Sequence, residues 1–202
     1  MQAVLNKSKT VKRFIDLFFS SIGIIITIVP MMFLIIVASI STKSFGIFKQ
    51  IRLGEQGIPF HIFKIRSMKI HQSENTFTAN NDNITSFGAF IRRYKLDELP
   101  QLFNVFVGTM SIVGPRPDVP EVIHGLMSSD KEFLKSKPGL ISIATIRYLD
   151  EEQLLATKSN PTDYYLKEIW PKKVKMNLEY TSNWSNLNDL KIMGEFLRKL
   201  VK

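Results

Sequence analysis

Between Phe14 and Ile40 the chain passes through 27 residues with a single charged side chain, Asp16, and no other feature restricts its fold as strongly. A helix rises ~1.5 Å per residue, so the run would extend roughly 40 Å, against a hydrocarbon core of about 30 Å. A secretory signal sequence fits poorly, because its apolar region spans about 7 to 15 residues and no small-x-small cleavage site follows here. A membrane element is the economical reading.

Two details argue against a simple crossing. Pro30 lies inside the run, where it removes a backbone hydrogen bond and its ring opposes the carbonyl one turn back, so the run is expected as two halves. Thr27 can donate to the carbonyl of Gly23 and help satisfy the backbone at the break. The flanks are nearly balanced, with Lys7, Lys9, Lys12 and Arg13 before the run and Lys43, Lys49 and Arg52 after it, and they specify no orientation for a crossing helix. Both flanks on one face of the bilayer satisfy this balance. The expectation is a re-entrant helix-break-helix at Pro30, with a kinked spanning helix as the alternative.

The rest of the chain suits one modest domain. The 202 residues carry no internal repeat, and a net charge of +9 points to an anionic partner: lipid headgroups, a nucleotide or nucleic acid. Nucleic acid is disfavoured, since no aromatic stacking motif or recognition helix accompanies the charge. There are no cysteines, and His61, His71 and His124 are too scattered for a zinc site. GIFKQIR and IPFHIFKIRSM flank a glycine-containing connection and predict a β-hairpin on which Lys64 and Arg66 share a face. The polar stretch from His71 to Ser86 reads as a surface loop, and Phe87, Phe90 and Ile91 form one face of a following helix.

The chemistry concentrates in IRRYKLDELPQLFNVFVGTMSIVGPRP, Ile91 to Pro117. Pro100 belongs in a first helical turn, so a helix carrying Leu102, Val105 and Phe106 is expected to start near Leu96, with Asp97 capping or opening it. Such an N-terminus favours carboxylates and phosphate alike. Adjacent helical residues point about 100° apart, so Asp97 and Glu98 should differ in role: one a nucleophile at phosphorus, the other a ligand to a divalent cation or a proton handler. The ordinary alternative is an N-cap aspartate followed by a first-turn glutamate. Gly114-Pro115-Arg116-Pro117 fixes an arginine between two prolines, ready to hold an anion at little entropic cost.

These residues together resemble a family. KRxxD before an apolar segment with a central proline, then FKQIRLGEQGIPFHIFKIRSM, FGAFIRRYKLDELPQLFNVFVG and MSIVGPRP, are similar to the bacterial sugar transferases, the monotopic polyprenol-phosphate phosphoglycosyl transferases. The likeness runs from about Lys12 to Gly139. It implies transfer of a phospho-sugar from a UDP-sugar to undecaprenyl phosphate, with release of UMP and a requirement for Mg2+. Such a reaction opens the membrane stage of a surface glycan pathway.

By this resemblance Asp97 is the nucleophile that forms a covalent phospho-sugar, and Glu98 a metal or proton-handling partner, so that Asp97 and Glu98 are the candidate metal ligands. Lys64, Arg66, Arg92 and Arg116 become candidate phosphate ligands, and Arg147 a further candidate anion ligand. The implied fold is α+β. Residues 1–43 form the re-entrant membrane helix, and residues 44–202 form a small helical domain with a β-hairpin and interfacial amphipathic helices on the cytoplasmic face of the bacterial inner membrane. UDP-sugar, undecaprenyl phosphate and membrane lipids are the implied partners, and a homo-oligomer is compatible with them. An inactive membrane-bound scaffold of the same fold is the alternative function.

The C-terminal stretch from Asp189 supports such a helix independently, since Leu190, Met193, Phe196, Leu197, Leu200 and Val201 line one side. A core-facing helix would show the same pattern, and Trp170-Pro171 reads either as an interface anchor or as packing. The chain departs from the family pattern at Val29-Pro30, where Ser-Pro is usual, at Thr109, where Asp is common, and after Lys137-Pro138-Gly139, where LISIATIRYLDEEQLL replaces the common continuation.

Overall fold

The computed structural model describes residues 2–70 and 83–200; residues 71–82, most of the predicted polar loop, lie outside the described residues. The apolar run belongs to one helix, α1 (Gln2–Thr42), which is long and apolar enough to cross a membrane. It continues through Pro30 as a single element, so the expected division into two helices is not seen. Part of the reason is local: Thr27 Oγ1 donates to the Gly23 carbonyl at 2.7 Å, one turn before the carbonyls that Pro30 disturbs.

Packing supplies the other part. Asp16, Ser20, Met31, Leu34, Ala38 and Thr42 are buried, while Phe14, Phe18, Ile25, Ile26, Val29, Met32, Phe33, Ile36 and Ile40 are exposed. The buried positions recur at helical spacing, so one stripe of α1 lies against the rest of the protein along most of its length and the opposite face stays apolar and uncovered. A helix supported on one side over that distance tolerates a proline without separating. The KRxxD motif secures its N-terminal half. Lys12 donates to the Val113 carbonyl at 2.8 Å and pairs with Asp189 at 2.6 Å. Arg13 donates to the carbonyls of Val105 and Phe106 at 2.7 and 2.6 Å, and Asp16 accepts from Ser111 Oγ and Ile112 N at 2.9 and 2.8 Å.

The antiparallel hairpin of β1 (Ile47–Leu53) and β2 (Pro59–Ile65) forms as the pattern suggests, in the register Lys49 to Phe63 and Arg52 to Phe60. After α2 (Ser86–Arg93), a 3-10 turn at Leu96–Glu98 leads into α3 (Gln101–Val107). The carbonyls at the end of α3 are those that Arg13 takes up, which fits the favourable placement of a cation at a helix C-terminus. Short parallel strands β3 (Ser111–Val113) and β4 (Gly139–Ile141) follow, with α4 (Pro120–His124) between them. The remaining α-helices among the described residues are α5 (Ile143–Arg147), α6 (Glu151–Ala156), α7 (Pro161–Tyr164), α8 (Trp170–Ser182) and α9 (Asn186–Leu200), with a π-helical turn at Tyr165–Ile169.

Three apolar clusters hold these pieces. Ile62, Leu102, Val105, Met110, Val113 and Ile192 form the largest; Leu53, Val119, Phe133, Trp170 and Val174 the second; Met31, Leu34 and Ala38 of α1 meet Ile65 and Ile91 in the third. The C-terminal helix is core-facing through Ile192, Met193 and Phe196, whereas Leu190 and Leu197 of the predicted stripe remain exposed. Trp170 is buried and stacked on Tyr165, which makes it packing and not an interface anchor.

Candidate active site

The Asp97–Glu98 pair does not open α3. Lys95 adopts a left-handed conformation at φ 55°, which reverses the chain out of α2, and the two acids ride the 3-10 turn that precedes α3. Asp97 makes no capping hydrogen bond; Pro100 stands at the N-cap position instead. A left-handed lysine costs free energy that neighbouring packing must offset, and such residues concentrate at functional sites.

The turn points both acids into the protein, where Asp97 is 8% and Glu98 9% exposed. Their electrostatic situations then diverge. Glu98 Oε1 accepts from Lys64 Nζ at 2.9 Å and from Arg116 Nη2 at 2.7 Å. Burial opposes ionisation of Glu98, but these two cations outweigh it and hold its pKa well below the usual carboxylate range. Asp97 Oδ1 is buried with no hydrogen-bond partner. Burial raises the Asp97 pKa, Glu98 adds to the rise, and Lys64, Arg92 and Lys95 oppose it. One acid is locked ionised by direct pairs, and its neighbour is a desolvated carboxyl with a free oxygen.

The segment bearing Arg116 is held by a close backbone approach. A Cβ on Gly114 would lie 2.3 Å from the Lys137 carbonyl oxygen and one on Gly139 would lie 2.0 Å from Gly114 N, so both positions require glycine. Gly139 N donates to the Pro115 carbonyl at 2.8 Å, and Leu53 N donates to the Asp118 carbonyl at 3.1 Å, which brings the end of β1 beside Arg116. Glu98 raises the Arg116 pKa above the usual arginine value, with Asp118 and Glu151 adding to the effect.

Not every predicted ligand joins this cluster. Lys64 and Arg116 contact Glu98 directly, and Arg92 acts on Asp97 through its charge while its Nη1 donates to Met68 Sδ at 3.5 Å. Arg66 belongs to the hairpin: Nε donates to the Phe45 carbonyl at 2.8 Å and Nη2 to the Ile47 carbonyl at 3.3 Å, with the guanidinium over the Phe48 ring. It lies one residue past the end of β2, where the unpaired carbonyls at the start of β1 are the nearer acceptors. Arg147 is exposed at the end of α5, and no hydrogen bond or ion pair links it to the acids among the described residues. Thr109 is likewise separate from the pair, bonded to Asn104 in the turn after α3.

The structure also assembles groups that no local motif announced. Asp118 and Arg52 pair loosely at 3.8 Å, and burial raises the Asp118 pKa against the effect of Arg52, Lys173 and Arg116. Lys173, itself buried, pairs with Glu151 and lies 4.9 Å from the Tyr165 ring centre and 5.8 Å from that of Tyr148. The proximity of Asp118 to Arg116 across one proline was the only sequence signal for this second cluster. Asp97 and Glu98 remain the carboxylates available to a cation at the first; among the described residues no group of three or more His, Cys, Asp or Glu could hold a metal by itself.

Comparison with known proteins agrees with the resemblance in the sequence. The chain is 36% identical over 190 residues to a UDP-glucose:undecaprenyl-phosphate glucose-1-phosphate transferase of Klebsiella pneumoniae, covering 90% of this chain and 38% of that protein. It is 42% identical over 113 residues to a putative undecaprenyl-phosphate N-acetylgalactosaminyl 1-phosphate transferase of Bacillus subtilis, covering 54% of this chain and 63% of that one. A second B. subtilis relative, the sugar transferase EpsL, is 31% identical over 94% of this chain and 87% of its own length. The chain thus spans less than two thirds of the first two relatives. The sequence profile of one family matches residues 7–202, nearly the whole chain, and this protein belongs to the bacterial sugar transferase family.

Proposed function

We propose that this protein transfers a phospho-sugar from a UDP-sugar to undecaprenyl phosphate. The observation that carries the reading is the contrast within the acid pair: Asp97 keeps a buried oxygen without a partner, while Glu98 is held by two cations. A nucleophilic carboxylate needs a free oxygen, and an anionic substrate needs cations beside it. In the first step an Asp97 oxygen bonds to the sugar-bearing phosphorus and the bond to UMP breaks, UMP leaving with the electron pair. In the second, an oxygen of undecaprenyl phosphate attacks the same phosphorus and the aspartyl bond breaks. Lys64, Arg92 and Arg116 offset the charge that accumulates among these anions.

The donor set suits Mg2+, a hard cation that binds through one or two carboxylates together with substrate phosphates. Glu98 and Asp97 would hold it, Asp97 through the carboxylate oxygen that does not attack, since with Oδ1 unpartnered the carboxylate has one oxygen for phosphorus and the other for a cation. When bound it supplies charge neutralisation at the phosphates.

The placement of α1 accounts for an acceptor tethered to lipid. Its uncovered apolar face supports immersion in the bilayer, and its continuous contact with the domain from Lys12 to Thr42 supports return to the starting face. In this reading residues 1–43 are the re-entrant membrane element, and residues 44–202 stay on the cytoplasmic face of the inner membrane. Cysteines introduced singly at Leu5 and Phe45 should label from the same side of sealed vesicles; opposite accessibility would establish a crossing helix.

The reaction is tested with a panel of UDP-sugars, Mg2+ and undecaprenyl phosphate. UMP release should accompany an organic-soluble product, and donor alone should leave a phospho-sugar adduct on Asp97 by mass spectrometry. No turnover with any sugar would favour the scaffold reading.

A further inference from the structure

Arg52 stands opposite Phe60, one residue before the end of β1, inside the protein and beside the Gly114–Pro117 segment. Its side chain is only 18% exposed, yet its guanidinium is poorly satisfied. Nη2 donates to Gln50 Oε1 at 2.8 Å. Nη1 approaches Asp118 Oδ1 only to 3.8 Å, beyond hydrogen-bond range, and Nε is buried with no partner at all. Buried donors of an ionised group are nearly always paired, and leaving them unpaired costs free energy. The contrast with Arg116, bonded to Glu98 at 2.7 Å, is direct.

The surroundings show what would complete it. Arg52 and Arg116 are near enough to repel one another, and Asp118 stands loosely between their influences, with Glu98 and Tyr165 also facing Arg52. Two guanidiniums with spare donors form a site for an oxyanion, since guanidinium forks match phosphate oxygens in pairs and the loosely placed Asp118 carboxylate leaves the Arg52 donors unsatisfied.

We propose that Arg52, together with Arg116, forms a phosphate-binding subsite next to the Asp97–Glu98 turn. The inference rests on the phosphoryl-transfer reading above for its choice of ligand class. The phosphate can come from the nucleotide or from the lipid acceptor, and the two are separable by experiment.

Binding is measured without turnover on the full chain in detergent, using UDP in one arm and undecaprenyl phosphate in the other. Wild type, Arg52→Gln and Arg52→Lys are compared, with thermal unfolding of each. Arg52→Gln should weaken at least one ligand by about 10- to 100-fold, the range for loss of charge-assisted hydrogen bonds. Arg52→Lys should recover part of that loss, and melting should stay within a few degrees of wild type. Loss confined to UDP identifies the nucleotide phosphate, and loss confined to undecaprenyl phosphate identifies the acceptor. Unchanged affinity for both ligands overturns the subsite, as does failure of wild type to bind either, or a binding loss matched by a large fall in melting temperature in both variants. Wild-type turnover with normal binding by the Arg52 variants would defeat this inference alone. Arg52-dependent binding without turnover would defeat the transferase reading and leave the subsite standing.

Discussion

The two charged regions around Arg116 are built from the same residue types and differ in how tightly they close. On the Asp97–Glu98 side, Glu98 takes two cations at 2.7 and 2.9 Å and its pKa falls well below the usual range. On the Asp118 side, Arg52 and Asp118 stand 3.8 Å apart and burial raises the acid's pKa. Direct hydrogen bonds return the desolvation cost of an ion, whereas a contact a full ångström longer does not. Tight closure therefore makes a fixed electrostatic frame, and loose closure leaves charge for a ligand to complete. Asp97 repeats the second condition one residue away from the first.

The largest effect should come from the unpaired acid. Asp97→Asn should lower turnover by more than about 10³-fold, in the range that loss of an activated nucleophile costs, while the protein stays in the membrane fraction. Its melting temperature should equal or exceed that of wild type, because burial disfavours the charge that the substitution removes. A clear fall in melting would show that Asp97 carries structure after all.

The paired acid should behave in the opposite way. Glu98→Gln leaves Lys64 and Arg116 facing a neutral group and should destabilise the fold by about 3 kcal/mol, measured by denaturant unfolding. The pH dependence carries the same contrast. Because the folded pKa of Glu98 is depressed, its stabilisation is present above the ordinary glutamate pKa and is lost as pH falls through the folded value. Asp97 has a raised pKa, so its contribution is present below the ordinary aspartate value and is lost as pH rises through the folded one.

An ionised nucleophile then places the acid limb of kcat/KM above the ordinary aspartate pKa of about 3.9. Lys64 lowers the Asp97 pKa, so Lys64→Gln should move that limb to higher pH. A limb that stays in place would separate Asp97 from the rate.

The smallest effects belong to the two arginines outside both regions. Arg66→Lys should cost about 1 kcal/mol of stability through the lost carbonyl bonds at the start of β1, with KM for the nucleotide sugar unchanged. Arg147→Ala should alter turnover by less than about 2-fold, as expected for an exposed substitution.

Much of this was legible in short stretches of chain. The apolar run, the Thr27–Gly23 hydrogen bond at its proline and the hairpin depend on residues close in sequence, whose spacing sets their geometry. The turn before α3 was misread because Lys95 takes a left-handed conformation that no local preference favours. Arg66 lies apart from Glu98 because alternation gives a face and not a partner, and the nearest acceptors lay across the hairpin.

Residue order and spacing were enough for the membrane-scale apolar helix, the adjacency of two acids among cations and the family to which those motifs belong. Packing was needed to show that α1 runs unbroken through Pro30, that Glu98 is paired while Asp97 Oδ1 is not, and that Arg52 and Asp118 meet beside Arg116. The physical reason is common to all three. Helical continuity at a proline, the state of a buried acid and the satisfaction of a guanidinium each depend on which distant groups packing brings within hydrogen-bond range, and sequence spacing does not contain that distance.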